Sequence, residues 1–460
     1  MSSAFYAYND AFHGPGWREG FQVSRLSEHV RTIIVNAGEL AHMSLGDTKV
    51  PLTGSEMGDK EANVHESGLG LLIESGKISR ISGWEEIIDE YAPSWRHDRD
   101  YDNQRAEYDE VNIIDAKGGA IIPGFVDSHT HLLWQSDRFN EISLRQKGMT
   151  YSQISKSGGG IGKTVRETRG STIDHLVEIG RERLDMAIEY GTTTMEVKSG
   201  YGLSVESELK LLQASGVIAD KSRIDIHSTW LGAHDVPHDK NKTQYMEELL
   251  TEQLPLVAEQ GIAKWVDVFC EPGWFTLEET EDIVSSAKEY GLSPRLHVDE
   301  FEDSGGLSLA AELGASSADH VGHSNSEARS LASKSGTMQT FLPGTPYVLG
   351  SKDYPPITDC VQNDWAFSLA TDFNPNCWTL SIPFIGSLAA HRCGIDPISA
   401  LAAVTRNPST TLGYGDNPPV GTISEGMDAN LNILYTENVD AWCQVPGMNP
   451  ISKTMVKGLL

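Results

Sequence analysis

Apolar residues fall along this chain in short runs separated by polar, glycine-containing turns, and the period of the runs changes from one region to the next. RTIIVNAG and GLLIESGKISRIS alternate as strands do, and a similar piece, DANLNILYT, returns near the C-terminus. Two polar stretches, 46–68 and 91–110, interrupt the first group and read as surface loops. Two β-rich ends flank a different middle, so residues 26–120 and 414–460 are expected to assemble one small β-sandwich, with residues 1–25 as an N-terminal extension. The middle, 121–413, alternates short apolar strands with helical patterns, which predicts parallel βα units. Its strands are IIPGFVDSHTH, TTTMEVKSG, IDIHSTWLG, WVDVFCEPG, PRLHVDE, ADHVGH, TMQTFLPG and FSLATDFNP. Helix punctuation agrees: Thr276 and Glu279 form a capping box, and Gly291 sits where that helix should stop. Eight such units predict an α/β fold, a TIM-type (β/α)8 barrel.

Composition narrows the function classes. The 460 residues can bury a full barrel and a smaller domain. With 65 acidic against 36 basic residues the net charge is -29, which argues against nucleic acid or an anionic membrane as partner. No basic, apolar leader opens the chain and no run approaches the roughly 18 apolar residues of a membrane span, so a cytoplasmic protein acting on a small molecule is expected. Cys270, Cys360, Cys377, Cys393 and Cys443 are scattered and form no C-x-x-C pair, so buried free thiols are expected rather than disulfides or a zinc ribbon.

The C-terminal ends of barrel strands carry the active site in this architecture. Strand one ends in His129-Thr130-His131, and residues two apart on a strand share a face, so both imidazoles can meet one ion. His297, His320 and Asp372 close strands five, six and eight. Imidazoles with one carboxylate suit Zn²⁺ or Fe²⁺ better than Mg²⁺ or Ca²⁺, which prefer oxygen ligands. With His129, His131, His297 and Asp372 on the ion, a further position can hold water made acidic by the metal. His320 is then free to orient water or substrate, and Glu300, three residues past His297, to carry protons.

The string PGFVDSHTHL, with the later histidines and the closing Thr-Asp, resembles the amidohydrolase superfamily. Longer strings, MTYSQISKSGGGIGKTVRETR, EVKSGYGL, TWLGAHDVP, VDVFCE, HVDEF, AAELGASSADH, LPGT and LATDFNP, resemble the imidazolonepropionases within it, from about residue 30 to the C-terminus. The resemblance implies hydrolysis of the ring C–N bond of 4-imidazolone-5-propanoate to N-formimidoyl-L-glutamate in histidine degradation. It implies one Zn²⁺ or Fe²⁺/Fe³⁺ per chain on His129, His131, His297 and Asp372, and substrate contacts from Arg138, Tyr151, Tyr201, His234, Glu300 and Asn374. His320 would assist catalysis with Glu300 and Asp372, and a homodimer is the expected assembly. The substrate's carboxylate suits a guanidinium and a phenol, and its ring edge suits an imidazole and an amide.

Gly158, Gly159 and Gly160 lack the G-K-[ST] of a phosphate loop and read as a lid over the site. Lys198 is read as outside the metal's ligand set, which leaves a single-metal centre. The chain departs from the family pattern at Asn376-Cys377-Trp378, beside the pocket. A related amidohydrolase or a deaminase acting on another cyclic amide or amidine is the competing reading; Arg138 and Tyr201, fitted to an acidic substrate, favour the first.

Overall fold

The computed structural model describes residues 31–95, 104–106, 111–150, 153–154, 157–415 and 418–460. The expected extension at 1–25 lies outside them, as does most of the polar stretch 91–110.

Eight parallel strands follow one another in chain order around a barrel: Phe125–Asp127, Thr192–Lys198, Asp225–Ala233, Trp265–Cys270, Ser293–Val298, Ser317–His320, Met338–Phe341 and Phe367–Leu369. A parallel bridge between Thr130 and Phe373 joins the last strand to the first. Strand alternation divides the residues cleanly. On the second strand Met195 and Val197 pack outward into the main apolar core, while Glu196 and Lys198 meet other polar groups inside. On the fourth and fifth, Val266, Val268, Leu296 and Val298 face the helices, and Asp267, Arg295 and His297 face inward.

Helices cover the outside because each presents one apolar face. Ile173–Glu189 starts at the N-cap Thr172 and buries Leu176, Gly180, Leu184 and Ala187, the spacing of one helical stripe. Each fully buried leucine or isoleucine of this kind contributes roughly 1.5–3 kcal/mol. Gly180 lets the neighbouring helix approach closely, since a Cβ there would lie 2.3 Å from Ile218 Cδ1 and push that side chain aside. Thr276 and Glu279 form the expected capping box, and Gly291 follows the helix end with φ 82°.

Outside the barrel stand two five-stranded sheets. One pairs Lys77–Gly83, Leu69–Glu74, Arg31–Val35, Val111–Asp115 and Gln104–Ala106 in that order; the other pairs Ile451–Met455, Leu431–Leu434, Ile121–Pro123, Leu40–Ala41 and Val64–His65. Ile34, Leu71, Ile114, Leu431, Ile433 and Met455 share one apolar core between the sheets, so strands from both chain ends meet there.

The stretch 46–68 is not the surface loop that its polarity predicts. Short helices at Gly54–Gly58 and Lys60–Asn63 occupy it, and Leu52 and Met57 are buried in the main core. The buried Arg406 guanidinium donates to the carbonyls of Met43, Leu45, Asp47 and Val50, and Asn407 exchanges two hydrogen bonds with the Leu52 backbone. Backbone carbonyls supply the partners, and their positions are invisible to a polarity pattern. Within 91–110, Gln104–Ala106 forms an edge strand of the first sheet.

Candidate active site

The inward-facing residues of neighbouring strands converge at the C-terminal end of the barrel. His129 and His131 follow the first strand, and the Asp372 N–H donates to the His129 carbonyl, so barrel closure itself brings Asp372 to the pair. Asp372 Oδ1 lies 3.6 Å from both His129 Nε2 and His131 Nε2. His297 Nε2 is 3.4 Å from His131 Nε2. Two overlapping triads result, His129/His131/His297 and His129/His320/Asp372, each with its donor atoms within 4.8 Å of one another.

Alternation puts His320 on the helix-facing side with Ala318. A left-handed backbone, φ 74°, turns it instead toward His129 and His297, with ring centres at 5.7 and 5.4 Å. Asp372 is left-handed as well, at φ 51°. Such strain persists only where the surrounding structure holds it in place.

Carboxylates behind the imidazoles set their tautomers. Asp319 Oδ2 lies 2.7 Å from His129 Nδ1, and Asp267 Oδ1 lies 3.0 Å from His297 Nδ1. A carboxylate only accepts, so each Nδ1 carries the hydrogen and each Nε2 presents its lone pair to the centre. Burial pushes His129, His131 and His320 well below the usual histidine range, helped by Lys198 at His129, His234 at His131 and His297 at His320. Neutral rings are the form that binds a cation. Sequence reading missed Asp267 and Asp319; the available signal was an aspartate within each of two otherwise apolar strand runs, VDVF and ADH.

Lys198 is fully buried between Glu196 Oε1 at 2.9 Å, Asp267 Oδ2 at 2.7 Å and Asp319 Oδ2 at 3.5 Å. Three carboxylates around one Nζ leave no place for an added carboxyl group, which would be a fourth negative charge in the same pocket.

Glu300 and His320 line a cavity of about 240 Å³ with Thr345, Leu342 and Tyr354. Glu300 Oε2 is 3.7 Å from His320 Nε2, and the Glu300 N–H donates to Glu271 Oε1 at 2.6 Å. Burial, then Asp372 and Glu271, raise the Glu300 carboxyl well above its ordinary value; burial raises Asp372 to about 6 and Glu271 to about 7. Glu271 was not expected from sequence, where it reads as one more loop carboxylate.

The other expected contacts surround this centre. His234 stacks on His131 at 5.0 Å and directs Nδ1 to the Gly200 carbonyl, while burial lowers its pKa to about 3. Tyr201 is buried against both rings, on a loop whose Gly200, Gly202 and Leu203 N–H groups donate to the buried Glu208. Arg138 is buried, with Nε and Nη2 at 3.0 and 2.8 Å from Glu141 Oε2, and Glu141 Oε1 accepts the Gly160 N–H. That contact ties the glycine stretch to the arginine and starts the helix Gly160–Arg169. Asn374 Oδ1 accepts from the Asn376 and Cys377 N–H groups and its Nδ2 donates to the Asp372 carbonyl, so it shapes the loop. Tyr151 lies outside the described residues. At the departure from the family pattern, Asn376 accepts from Arg145, Cys377 is buried, and the half-exposed Trp378 packs on Phe139.

Residues 120–460 match the model of the amidohydrolase family. The chain is 38% identical over 440 residues to an imidazolonepropionase of Symbiobacterium thermophilum, covering 94% of this chain and 97% of that one. It is 36% identical to one from Geobacillus kaustophilus, over 90% of this chain and 93% of the other. In fold it is similar to an E. coli guanine deaminase, with a TM-score of 0.67, 15% identity and coverage of 94% and 99%, and to a triazine hydrolase variant, with a TM-score of 0.65, 14% identity and coverage of 93% and 94%. At those identities the likeness concerns the fold alone. Among the described residues, no helix is long and apolar enough to cross a membrane.

Proposed function

Because the chain belongs to the amidohydrolase family and, within it, to the imidazolonepropionases, we propose how its strand-end residues carry out that reaction, the hydrolytic opening of the ring C–N bond of 4-imidazolone-5-propanoate to N-formimidoyl-L-glutamate in histidine degradation. His129, His131, His297 and Asp372 would hold one Zn²⁺ or Fe²⁺/Fe³⁺ ion, with His320 in reach of the same centre. The observation that carries this reading is the unmet polar geometry: His129 Nε2 is buried with no hydrogen-bond partner among the described residues, and two imidazole Nε2 atoms face each other at 3.4 Å. A buried unpartnered nitrogen costs about 1–3 kcal/mol, which a cation among the four groups would offset. When bound, such an ion brings the pKa of water toward neutrality and polarises a carbonyl.

The chain's own groups do the rest. Arg138 holds the substrate carboxylate through charge-assisted hydrogen bonds together with the Tyr201 phenol, and Tyr151 is a further substrate contact that the family resemblance implies. His234, neutral and with Nδ1 engaged by Gly200, offers Nε2 to an N–H of the ring. Asn374 keeps one amide hydrogen for the ring's edge while holding its loop. Water adds its oxygen to the lactam carbon, the ring C–N bond breaks, and Glu300 takes the proton from water and delivers it to the departing nitrogen. His320, 3.7 Å from that carboxyl, orients the attacking water. The reading extends to a cytoplasmic homodimer, which sedimentation of the purified protein tests. Purified protein incubated with 4-imidazolone-5-propanoate should remove the ring absorbance while carrying about one equivalent of metal; full turnover by metal-free protein would overturn the metal assignment.

A further inference from the structure

Lys198 stands on the second strand, Asp267 on the fourth, His297 on the fifth, Asp319 on the sixth and His129 after the first, and all are buried. Asp267 uses its two oxygens in opposite directions, Oδ1 toward His297 Nδ1 at 3.0 Å and Oδ2 toward Lys198 Nζ at 2.7 Å. Asp319 Oδ2 is shared between His129 Nδ1 at 2.7 Å and Lys198 Nζ at 3.5 Å. An ammonium has three N–H donors, and three carboxylates surround this one. The Lys198 backbone N–H donates to the Thr130 carbonyl, between the two strand-one histidines, which adds a third tie to the same centre.

We propose that Lys198 is a positioning residue for cation binding: through Asp267 and Asp319 it holds His297 and His129 in the orientation and tautomer that aim Nε2 at a common point. This rests on the reading of those histidines as metal ligands. Without the ammonium, two buried carboxylates would lose the group that fixes their far sides and would reorient, which redirects the rings they hold. Glu196 balances the charge: removing Lys198 and Glu196 together takes one positive and one negative group and leaves the net charge of the pocket unchanged, which keeps that double variant foldable.

The test is Zn²⁺ affinity by competition with a chromogenic chelator, alongside circular dichroism and melting of the metal-free proteins. The variants are Lys198→Met, Lys198→Met/Glu196→Gln, Asp319→Asn, and Asp319→Asn combined with the double. The double variant should fold and bind Zn²⁺ about 10- to 100-fold more weakly than wild type. Asp319→Asn alone should weaken binding by a similar factor, and added to the double variant it should cost much less, because both act through one contact. A folded double variant with wild-type affinity, or strictly additive losses, overturns the inference. If Lys198→Met fails to fold, the double variant and Asp319→Asn still read it. Wild-type protein that binds no Zn²⁺ or Fe²⁺ would instead sink the metal-site reading itself, a result distinct from either outcome above.

Discussion

Replacing Glu300 with Gln tests the proton path most directly. The side chain is 15% exposed at the wall of the cavity, and its backbone is held by Glu271, so an amide of the same size should sit in the same place. The change removes the transferable proton and leaves His129, His131, His297 and Asp372 as they are. A positioned acid-base group is worth about 10²- to 10⁴-fold in rate, or ~2.7–5.4 kcal/mol of barrier. Glu300→Gln should therefore lower kcat by that factor while metal content and KM stay close to wild type. The pH profile adds a sign. Burial and the carboxylates of Asp372 and Glu271 raise the Glu300 carboxyl well above its ordinary value. It keeps its proton at pH values where an exposed glutamate has lost it, so the carboxylate that takes the proton from water forms only above that raised value and activity should rise with pH through it; a bound cation would shift the limb toward lower pH. Steady-state kinetics across pH, with metal analysis of the same samples, decide the matter. Near wild-type turnover by Glu300→Gln would move the proton transfer to His320 and refute the assignment.

His129→Ala and Asp372→Ala should each lose both the metal and the activity, read by elemental analysis and turnover of the purified variants. Arg138→Lys should raise KM roughly 10- to 150-fold, from ~1.5–3 kcal/mol for a charged hydrogen bond, with a smaller effect on kcat because the contact serves ground and transition states alike; an unchanged KM would remove Arg138 from the carboxylate site. Arg406→Met should cost about 3 kcal/mol of stability by removing the donor to the Met43, Leu45 and Val50 carbonyls, and should open residues 46–68 to protease before the barrel, as limited proteolysis would show.

The sequence by itself determined the architecture and which residue types stand at the strand ends. Eight apolar runs punctuated by helical stripes and caps specify the barrel, because burying strand and helix faces is a local property of the pattern. The H-x-H at Thr130's flanks and the histidines and aspartate at later strand ends were legible for the same reason: position on a strand says which rim a residue reaches. Tertiary structure decided what stands behind them. Asp267, Asp319 and Lys198 lie on three strands and become one network when the barrel closes, since the ties of Lys198 to Asp267, of Lys198 to Asp319 and of His129 to Asp319 join residues far apart in the chain, up to 190 positions. The turn of His320 into the site depends on a left-handed φ that no residue preference dictates, and the anchoring of the start of 46–68 depends on an arginine more than three hundred residues later. Asn374's commitment to its own loop is likewise a matter of which N–H groups fold back toward its amide. Periodicity reports which face of an element is apolar; hydrogen-bond partners, charge balance and backbone strain arise between elements, and those interactions exist only in the folded chain.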